Sequence, residues 1–260
     1  MQSIGRRGLM TVFLIGAIAA LLFVAVRAAT ANDWRDASRE SVGLAPEAAT
    51  TPEAVVQVYA ARVWGWRGAF GVHTWVAVKP EKAKAWTVYE VIGWRLRWGD
   101  SALVVSERRP DARWFGNEPE LLADKRGAGV DKLIARIDRA AREYPWTRDY
   151  AAWPGPNSNT FTAWVSRAVP ELRVNLPPTA IGKDYLGDSL IGPAPSGSGG
   201  QISLGGVFAL TASAVEGLEL NLLGLSFGVD PWPPAIKLPL LGRLGFSGAD
   251  ATPVADAPAP

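Results

Sequence analysis

The sequence predicts a mixed α+β fold, in which an antiparallel β-sheet is packed with helices between an apolar N-terminal segment and further C-terminal strands. Residues 55–106 hold short runs of β-branched and aromatic residues separated by turns, which is typical of an antiparallel meander. Apolar residues then recur at helical spacing in two later segments. With 260 residues and 48% apolar content, the chain can build a hydrophobic core.

Residues 1–31 are predicted to form a signal anchor, a transmembrane helix that is retained. Arg6 and Arg7 precede eighteen uncharged residues, 9–26. At about 1.5 Å per residue, this run would cover most of a bilayer core of roughly 30 Å. The alternative is a secretory signal peptide cleaved near residues 29–31. The paired arginines indicate a cytoplasmic start, so we expect a single-pass protein of the bacterial inner membrane with most of its chain in the periplasm.

Residues 32–53 are polar and interrupted by prolines, and they are predicted to be a tether. The main α+β domain is expected over residues 54–190. Its first part is predicted to form a meander of strands at 55–59, 71–78, 86–93, 94–98 and 101–106.

Two amphipathic helices are predicted to cover this sheet. Apolar residues recur at helical spacing over 130–144 and over 160–169, and Pro145 and Pro170 end the two runs.

The C-terminal part has three predicted segments. Residues 191–200 form a loop rich in Gly, Pro and Ser, and 201–247 form a β extension packed on the main domain or on a membrane surface. Residues 248–260 are predicted to be a disordered tail.

Composition excludes several kinds of chemistry. The chain has no cysteine and one histidine, which excludes disulfides, thiolate zinc sites and histidine-rich metal clusters. The formal charge is +2, but residues 1–31 contribute three arginines and no acid, which leaves 24 basic and 25 acidic residues, or −1, in the rest. We therefore expect no nucleic-acid partner, no metal and no cofactor.

Tryptophan is unusually concentrated in the predicted main domain. Ten of the twelve tryptophans lie between residues 64 and 164. If residues 94–98 form a strand, Trp94, Leu96 and Trp98 share one face and both arginines the other. One interpretation is an aromatic core with a basic edge. The other is a binding groove in which tryptophans stack on sugar rings or acyl chains and arginines hold anionic groups.

The single histidine and one helix start are the candidate site. His73 lies in a predicted strand, where a lone histidine is by default structural. Downstream, a Pro-Gly-Pro segment delivers Asn157, Ser158 and Asn159 to the start of the second helix of the main domain. These residue types cap helices, but a nucleophile placed there would also benefit from the helix dipole.

Several motifs resemble a known family. They include EAVVQVYAARVWGWRGAFGVHTWVAVKP, AWPGPNSNTF and LPPTAIGKDYLG, and the likeness runs over about residues 33–246. The chain thereby resembles the bacterial membrane-associated family catalogued as domain of unknown function 3750, which brings no established activity.

A more distant resemblance is to the permuted NlpC/P60 (papain-like) superfamily, which includes lecithin:retinol acyltransferase-like enzymes. The order of His73 in GVHTWVAV, Glu90 in VYEVIG and Ser158 in NSNTF matches its layout. The resemblance implies that His73 is a base and Glu90 orients it, while Asn157 or nearby backbone amides form an oxyanion hole. Ser158 occupies the position of the family's nucleophilic cysteine.

That replacement keeps three functions open. A serine hydroxyl is too weak an acid to be ionised in advance, so catalysis would need His73 as a true general base. The first function is a non-catalytic binding module for an envelope peptide, glycan or lipid, and the alternatives are a serine hydrolase or acyltransferase and a purely structural envelope protein. Candidate ligand contacts are Trp75, Trp153, Asn159, Lys183 and Tyr185.

Overall fold

A computed structural model describes residues 6–29 and 33–246. They form two antiparallel β-sheets and the α-helices α1 (Arg6–Ala29), α2 (Val130–Arg142) and α3 (Ser158–Ala168). The prediction of a mixed α+β fold is therefore confirmed. Among the helices in these residues, none combines the length and the apolar character needed to cross a membrane. The predicted membrane location stays a prediction, and the predicted tail, 248–260, lies outside the described residues.

The first sheet has the strand order β4-β3-β2-β1-β5. Its strands are β1 (Val55–Arg62), β2 (Val72–Lys79), β3 (Thr87–Val91), β4 (Leu103–Glu107) and β5 (Pro119–Arg126). The sequence did not indicate β5, because this strand alternates poorly and carries several charged residues, as edge strands often do. It pairs with β1 through a register shift between Val58 and Tyr59.

Both faces of this sheet are covered. Helices α2 and α3 pack on the face that includes Val56 and Val76, and they bury one hydrophobic core. Residues 45–48 and Trp114 contribute to a second core on the opposite face, around Trp75. The predicted tether is therefore wrong for this segment. The buried carboxylate of Asp111 holds it by accepting hydrogen bonds from the Ser41 hydroxyl (2.8 Å) and the Ala45 backbone N–H (3.1 Å).

Two short 3₁₀ helices follow strands at the same end of the first sheet. The first spans Gly65–Ala69 after β1, and the second spans Gly93–Trp98 after β3. The predicted strand over 94–98 is therefore wrong. Gly99 ends the second 3₁₀ helix with φ +75°, a left-handed conformation that glycine adopts without strain. The helix leaves Trp98 71% exposed.

The C-terminal residues form a second sheet, which is a meander with the order β12-β11-β10-β9-β8-β7-β6. Its strands are β6 (Ile191–Pro193), β7 (Gly199–Leu204), β8 (Phe208–Ser213), β9 (Gly217–Leu222), β10 (Leu225–Pro231), β11 (Pro234–Leu238) and β12 (Gly242–Gly245). The predicted loop at 191–200 is only partly a loop, because β6 pairs with β7 across it. The C-terminal strands form a sheet of their own.

Buried charges attach this second sheet to the main domain. The Glu219 carboxylate pairs with Lys183 and, at 2.7 Å, with Lys237, and all three side chains are buried. Burial alone would raise the pKa of Glu219, but the two lysine charges outweigh burial and lower the pKa. The carboxylate is therefore ionised, and it binds a lysine from each side of the interface.

Replacing Glu219 tests whether this ion pair network holds the sheet. We expect Glu219→Gln to lower the free energy of unfolding by about 3 kcal/mol or more, because both buried lysines would lose the carboxylate with which they pair. The neighbouring change Leu218→Gln is the control. Leu218 is exposed, so this change should cost no more than about 0.5 kcal/mol. Urea denaturation in the absence of lipid measures both, and equal costs would contradict the assignment.

Candidate functional site

Strand β2 separates the predicted site residues into two groups. Successive side chains of a strand point to opposite faces. Thr74 faces α3, where its hydroxyl donates to the Asn159 side chain (3.0 Å). His73 and Trp75 point to the other face, with their rings 5.7 Å apart. The helix start and the histidine therefore lie on different sides of the sheet.

The start of α3 is held by a capping network centred on Asn157. Its side-chain oxygen accepts from the backbone N–H groups of Asn159 (2.9 Å) and Thr160 (3.2 Å). Its amide donates to the carbonyls of Ala152 (3.2 Å) and Ile181 (2.9 Å). Both amide protons are thus used, and Asn157 has none left for the oxyanion hole that the sequence predicted.

The same network joins three elements. The Asn159 amide donates to the carbonyls of Val72 (3.1 Å) and Ile181 (2.8 Å), while the Thr160 hydroxyl donates to the Gly182 carbonyl (2.7 Å). Gly182 has φ +93°, and a Cβ there would lie 2.4 Å from the Asn157 side chain. Asn159 is therefore buried and connects α3 to β2 and to the loop at residue 182.

Ser158 is the first residue of α3, and its carbonyl accepts from the Thr74 hydroxyl (3.2 Å). Both Ser158 and His73 are described, and no hydrogen bond joins the Ser158 hydroxyl to the histidine ring. The predicted triad of Ser158, His73 and Glu90 is therefore not assembled. The physical reason is the two-residue period of β2, which points His73 away from the face that α3 covers.

On the other face, His73 belongs to a buried polar cluster. Its Nε2 lies 2.9 Å from Glu90 Oε2, so the predicted contact between these two residues is present. The second oxygen of Glu90 accepts from Arg108 Nη2 (3.1 Å) and Nε (3.3 Å). The Trp114 ring stacks on the imidazole, with centroids 3.7 Å apart and planes 10° apart. Together these four residues form what we call the His73 cluster.

Protonation of the His73 cluster follows from its charges. Burial lowers the pKa of His73, and the nearby Arg108 charge lowers it further, against the opposing effect of Glu90. For Glu90, burial acts to raise the pKa, but His73 and Arg108 outweigh it and lower the pKa. The carboxylate is then ionised and can only accept, so the neutral imidazole carries its proton on Nε2. The lone pair is on Nδ1.

The other predicted ligand contacts are mostly internal. Trp75 is fully buried, stacks on Tyr59 and donates from its indole N–H to the Pro110 carbonyl (2.8 Å). Lys183 belongs to the buried ion pairs described above. Tyr185 is half-buried, with its ring 5.3 Å from that of Trp146. Among the five predicted contacts, Trp153 is the exposed one.

The exposed aromatic surface is one that the sequence did not place correctly. The two 3₁₀ helices each begin with Gly-Trp-Arg, at 65–67 and at 93–95, and this repeat was the signal that could have identified them. They expose Trp66, Trp94 and Trp98 together with Arg67 and Arg97. We call these five residues the Trp–Arg surface.

A shallow depression of about 300 Å³ lies at the opposite end of the first sheet, beside the start of β3 and the end of β4. It opens on Arg108, and Lys84, Trp86 and Glu107 also line it. Within residues 6–29 and 33–246, no group of three or more histidine, aspartate or glutamate side chains is arranged to hold a metal ion.

The fold defines a mixed α+β protein with antiparallel sheets. The chain belongs to the family described as Protein of unknown function (DUF3750), whose model matches residues 53–185. Searches of curated proteins and of solved structures gave no match. The matched region contains the His73 cluster, the Trp–Arg surface and the start of α3, while the second sheet lies beyond it.

Stability can separate capping from catalysis at the start of α3. We expect Asn157→Ala to lower the free energy of unfolding by about 2 kcal/mol or more, because the helix loses its cap and two carbonyls lose their donors. Ser158→Ala should cost less than about 0.5 kcal/mol. Urea denaturation of both variants measures this. A Ser158→Ala cost as large as that of Asn157→Ala would show that the hydroxyl is a structural partner after all.

The pH dependence of stability should report on His73. In the unfolded chain His73 binds its proton near pH 6.5, whereas in the folded chain its pKa is lower. The free energy of unfolding therefore has its full value above pH 6.5 and falls on acidification. One proton allows a slope of up to about 1.4 kcal/mol per pH unit. His73→Gln should remove this slope between pH 7 and 5.5.

The comparison isolates the His73–Glu90 pair, because the chain has one histidine and Glu90 pairs with it. Carboxyl groups away from this pair titrate in both proteins, and their contributions cancel in the difference between the two profiles. Chemical denaturation across this pH range is the measurement. Parallel profiles for the parent and His73→Gln would show that His73 binds its proton equally in the folded and unfolded chain.

Proposed function

We propose that this protein is a non-catalytic binding module that takes an anionic glycan on the Trp–Arg surface. The observation that carries this proposal is the exposure of tryptophan and arginine side chains, from two 3₁₀ helices, at one end of the first sheet. Flat aromatic faces stack on sugar rings, and guanidinium groups bind carboxylate or phosphate in a bidentate manner.

The shape of the surface favours a glycan over an acyl chain. An acyl chain is best held in an enclosed apolar pocket. The depression described above lies at the opposite end of the sheet and has Glu47, Lys84, Glu107 and Arg109 among its lining residues. Separated, exposed indole rings suit a polymer that lies across the protein and contacts it at several points.

The His73 cluster packs behind this surface and holds one of its tryptophans in position. His73 stacks on Trp114, and the Trp114 ring lies 6.0 Å from that of Trp94 in the second 3₁₀ helix. Glu90 and Arg108 hold the imidazole in turn. In this proposal the buried ion pair positions an exposed tryptophan, so a histidine that resembles a catalytic base acts as a scaffold.

In this proposal, the distant likeness to the papain-like superfamily reflects a shared ancestor, from which the order of these residues was inherited. A strand histidine, an acidic partner and a polar helix start occur in the expected order, but Ser158 replaces the cysteine, and no hydrogen bond joins its hydroxyl to His73. We propose that the fold kept the arrangement and lost the chemistry. The hydrolase or acyltransferase function remains the alternative, and a fluorophosphonate adduct on Ser158 that disappears in His73→Ala would support it instead.

Binding to defined polysaccharides tests the proposal. Polygalacturonate is the anionic probe and dextran the neutral one. Trp98→Ala should weaken polygalacturonate binding about tenfold, since a stacked aromatic ring contributes on the order of 1 kcal/mol or more. Arg97→Ala should weaken it and reduce its dependence on salt, because one ion contact is removed. Calorimetric titration measures both.

A matched control comes from the second sheet. Trp232 is 85% exposed and lies outside the Trp–Arg surface, so Trp232→Ala should bind polygalacturonate like the parent protein. Ser158→Ala should also bind normally. Equal binding of dextran and polygalacturonate, or equal losses in Trp98→Ala and Trp232→Ala, would contradict the proposal.

A further inference from the structure

The second sheet has its apolar face outward. Along β7 to β11, inward side chains are mainly polar and buried, and outward ones are large and apolar. Strand pairing aligns the outward residues in rows that cross the sheet, for example Ile202–Leu210–Leu220–Phe227 and Leu218–Val229–Ile236–Leu244. We call this surface the outer apolar face.

Buried ion pairs and hydrogen bonds determine which face of the second sheet packs on the main domain. Besides Glu219 and its two lysines, Asn221 donates to the Asp184 carboxylate at 2.9 Å, and Asn175 donates to Asp230 at 3.2 Å. Turning the sheet over would take these buried partners apart, at a cost of several kcal/mol for each broken ion pair. The apolar side chains must therefore face away from the main domain.

We propose that the outer apolar face docks on the surface of a lipid bilayer. Soluble monomers rarely expose a contiguous apolar patch larger than a few hundred Å². Here, exposed large apolar side chains occur on every strand of a seven-stranded sheet. A surface of this kind is stable in water only when something apolar covers it.

Charge distribution identifies hydrocarbon as that covering. Residues 189–246 contain five charged residues. The carboxylates and the lysine among them are buried, and Arg243 points inward to Asp230 (3.2 Å). The outer apolar face thus carries no charged side chain and avoids the main cost of entering a bilayer.

The edges of the face argue against a second copy of the chain. Protein interfaces have an apolar centre and a polar rim that is hydrogen-bonded or wet. Here the turns at both ends of the sheet are also apolar, with Leu223 69%, Trp232 85% and Leu241 58% exposed. Exposed aromatic and aliphatic side chains at the periphery are typical of surfaces that enter the interfacial layer of a membrane.

Neither the residues that follow the second sheet nor helix α1 is suited to cover the face. Residues 247–260 contain one large aliphatic residue, Val254, and no aromatic one. Helix α1 contacts the first 3₁₀ helix and leaves its own Leu14, Leu21 and Val26 exposed. A single lipid surface could take up both apolar surfaces.

One contact places these surfaces at the same end of the molecule. The Arg62 guanidinium, at the end of β1 and just before the first 3₁₀ helix, donates to the Leu240 carbonyl in the turn between β11 and β12 (2.8 Å). The exposed Leu241 is the next residue along that turn. The edge of the outer apolar face therefore lies beside the segment against which α1 rests.

The experiment uses a single introduced cysteine in the full chain, which has no cysteine of its own. Leu218→Cys and Ile236→Cys carry an environment-sensitive fluorophore on the outer apolar face, and Ala135→Cys carries it on the exposed side of α2. Each protein is transferred from detergent into vesicles of phosphatidylcholine and phosphatidylglycerol, with or without lipids bearing a nitroxide on the acyl chain.

We expect the labels at 218 and 236 to shift to shorter wavelength and to be quenched by the nitroxide, because an interfacial surface sits about 5–10 Å into the headgroup and acyl boundary. The label at 135 should do neither. Attachment of the vesicle through the N-terminal segment alone would leave all three labels in water, and this result would overturn the proposal. A blue shift without quenching would show that protein covers the face, and would also overturn it.

A charged variant keeps the test independent of the cysteine substitutions. In Leu218→Glu/Ile236→Glu, with the label at Ile202→Cys, quenching should fall to the level of position 135. The three replaced side chains are exposed, so the variant should fold as the parent does in the absence of lipid. Quenching that persists in the folded variant would contradict docking through this face. Glycan binding by Trp98 is unaffected by any of these outcomes, so the two proposals fail separately.

Discussion

The two-residue period of strand β2 is the constraint on which the rest of the site depends. Thr74 turns toward α3 and receives the helix start, whereas His73 turns toward the opposite layer and pairs with Glu90. A shift of β2 by one residue would turn the imidazole from the Trp114 ring to the face that α3 and Ser158 cover. Because both sides of the strand are packed and hydrogen-bonded, a slip in register would break both clusters at once. The polar helix start caps α3 and connects it to neighbouring elements, and in the described residues no hydrogen bond joins the Ser158 hydroxyl to His73.

The second sheet depends on a different balance. Burying Glu219 with two lysines is costly in desolvation, and such groups seldom add stability over an apolar core. Their effect here is directional, since they determine which face of the sheet meets the main domain. The price of that choice is an apolar surface that water cannot stabilise. A sheet with an apolar outer face is stable where that face does not contact water. A lipid surface provides such an environment, because hydrocarbon forms no hydrogen bonds with the side chains it covers.

Local periodicity predicted much of the fold and little of the site. Strands β1 to β4 and helices α2 and α3 have strong apolar patterns, and in these segments the local pattern agrees with the structure that forms in the folded chain. Strand β5 and the 3₁₀ helix at Trp98 were missed or misassigned, because the first is a charged edge strand and the second alternates like a strand over five residues. The His73–Glu90 contact was implied by the resemblance to the papain-like layout, and the pairing of β2 with β3 brings the two residues together. The separation of Ser158 from His73 was not predicted, because it depends on which face of the sheet the helix covers, and linear order does not specify that.

The two proposed surfaces have a geometric relation that constrains how they could work together. The Arg62–Leu240 hydrogen bond brings the turn edge of the outer apolar face to the end of β1, from which the first 3₁₀ helix exposes Trp66 and Arg67. Docking of the second sheet would hold that 3₁₀ helix close to the lipid headgroups. The second 3₁₀ helix, with Trp98, has no hydrogen bond or ion pair to the second sheet in the described part of the chain. A glycan bound there would be presented at the membrane without competing with lipid, because the sheet carries the attachment and the second 3₁₀ helix carries the recognition.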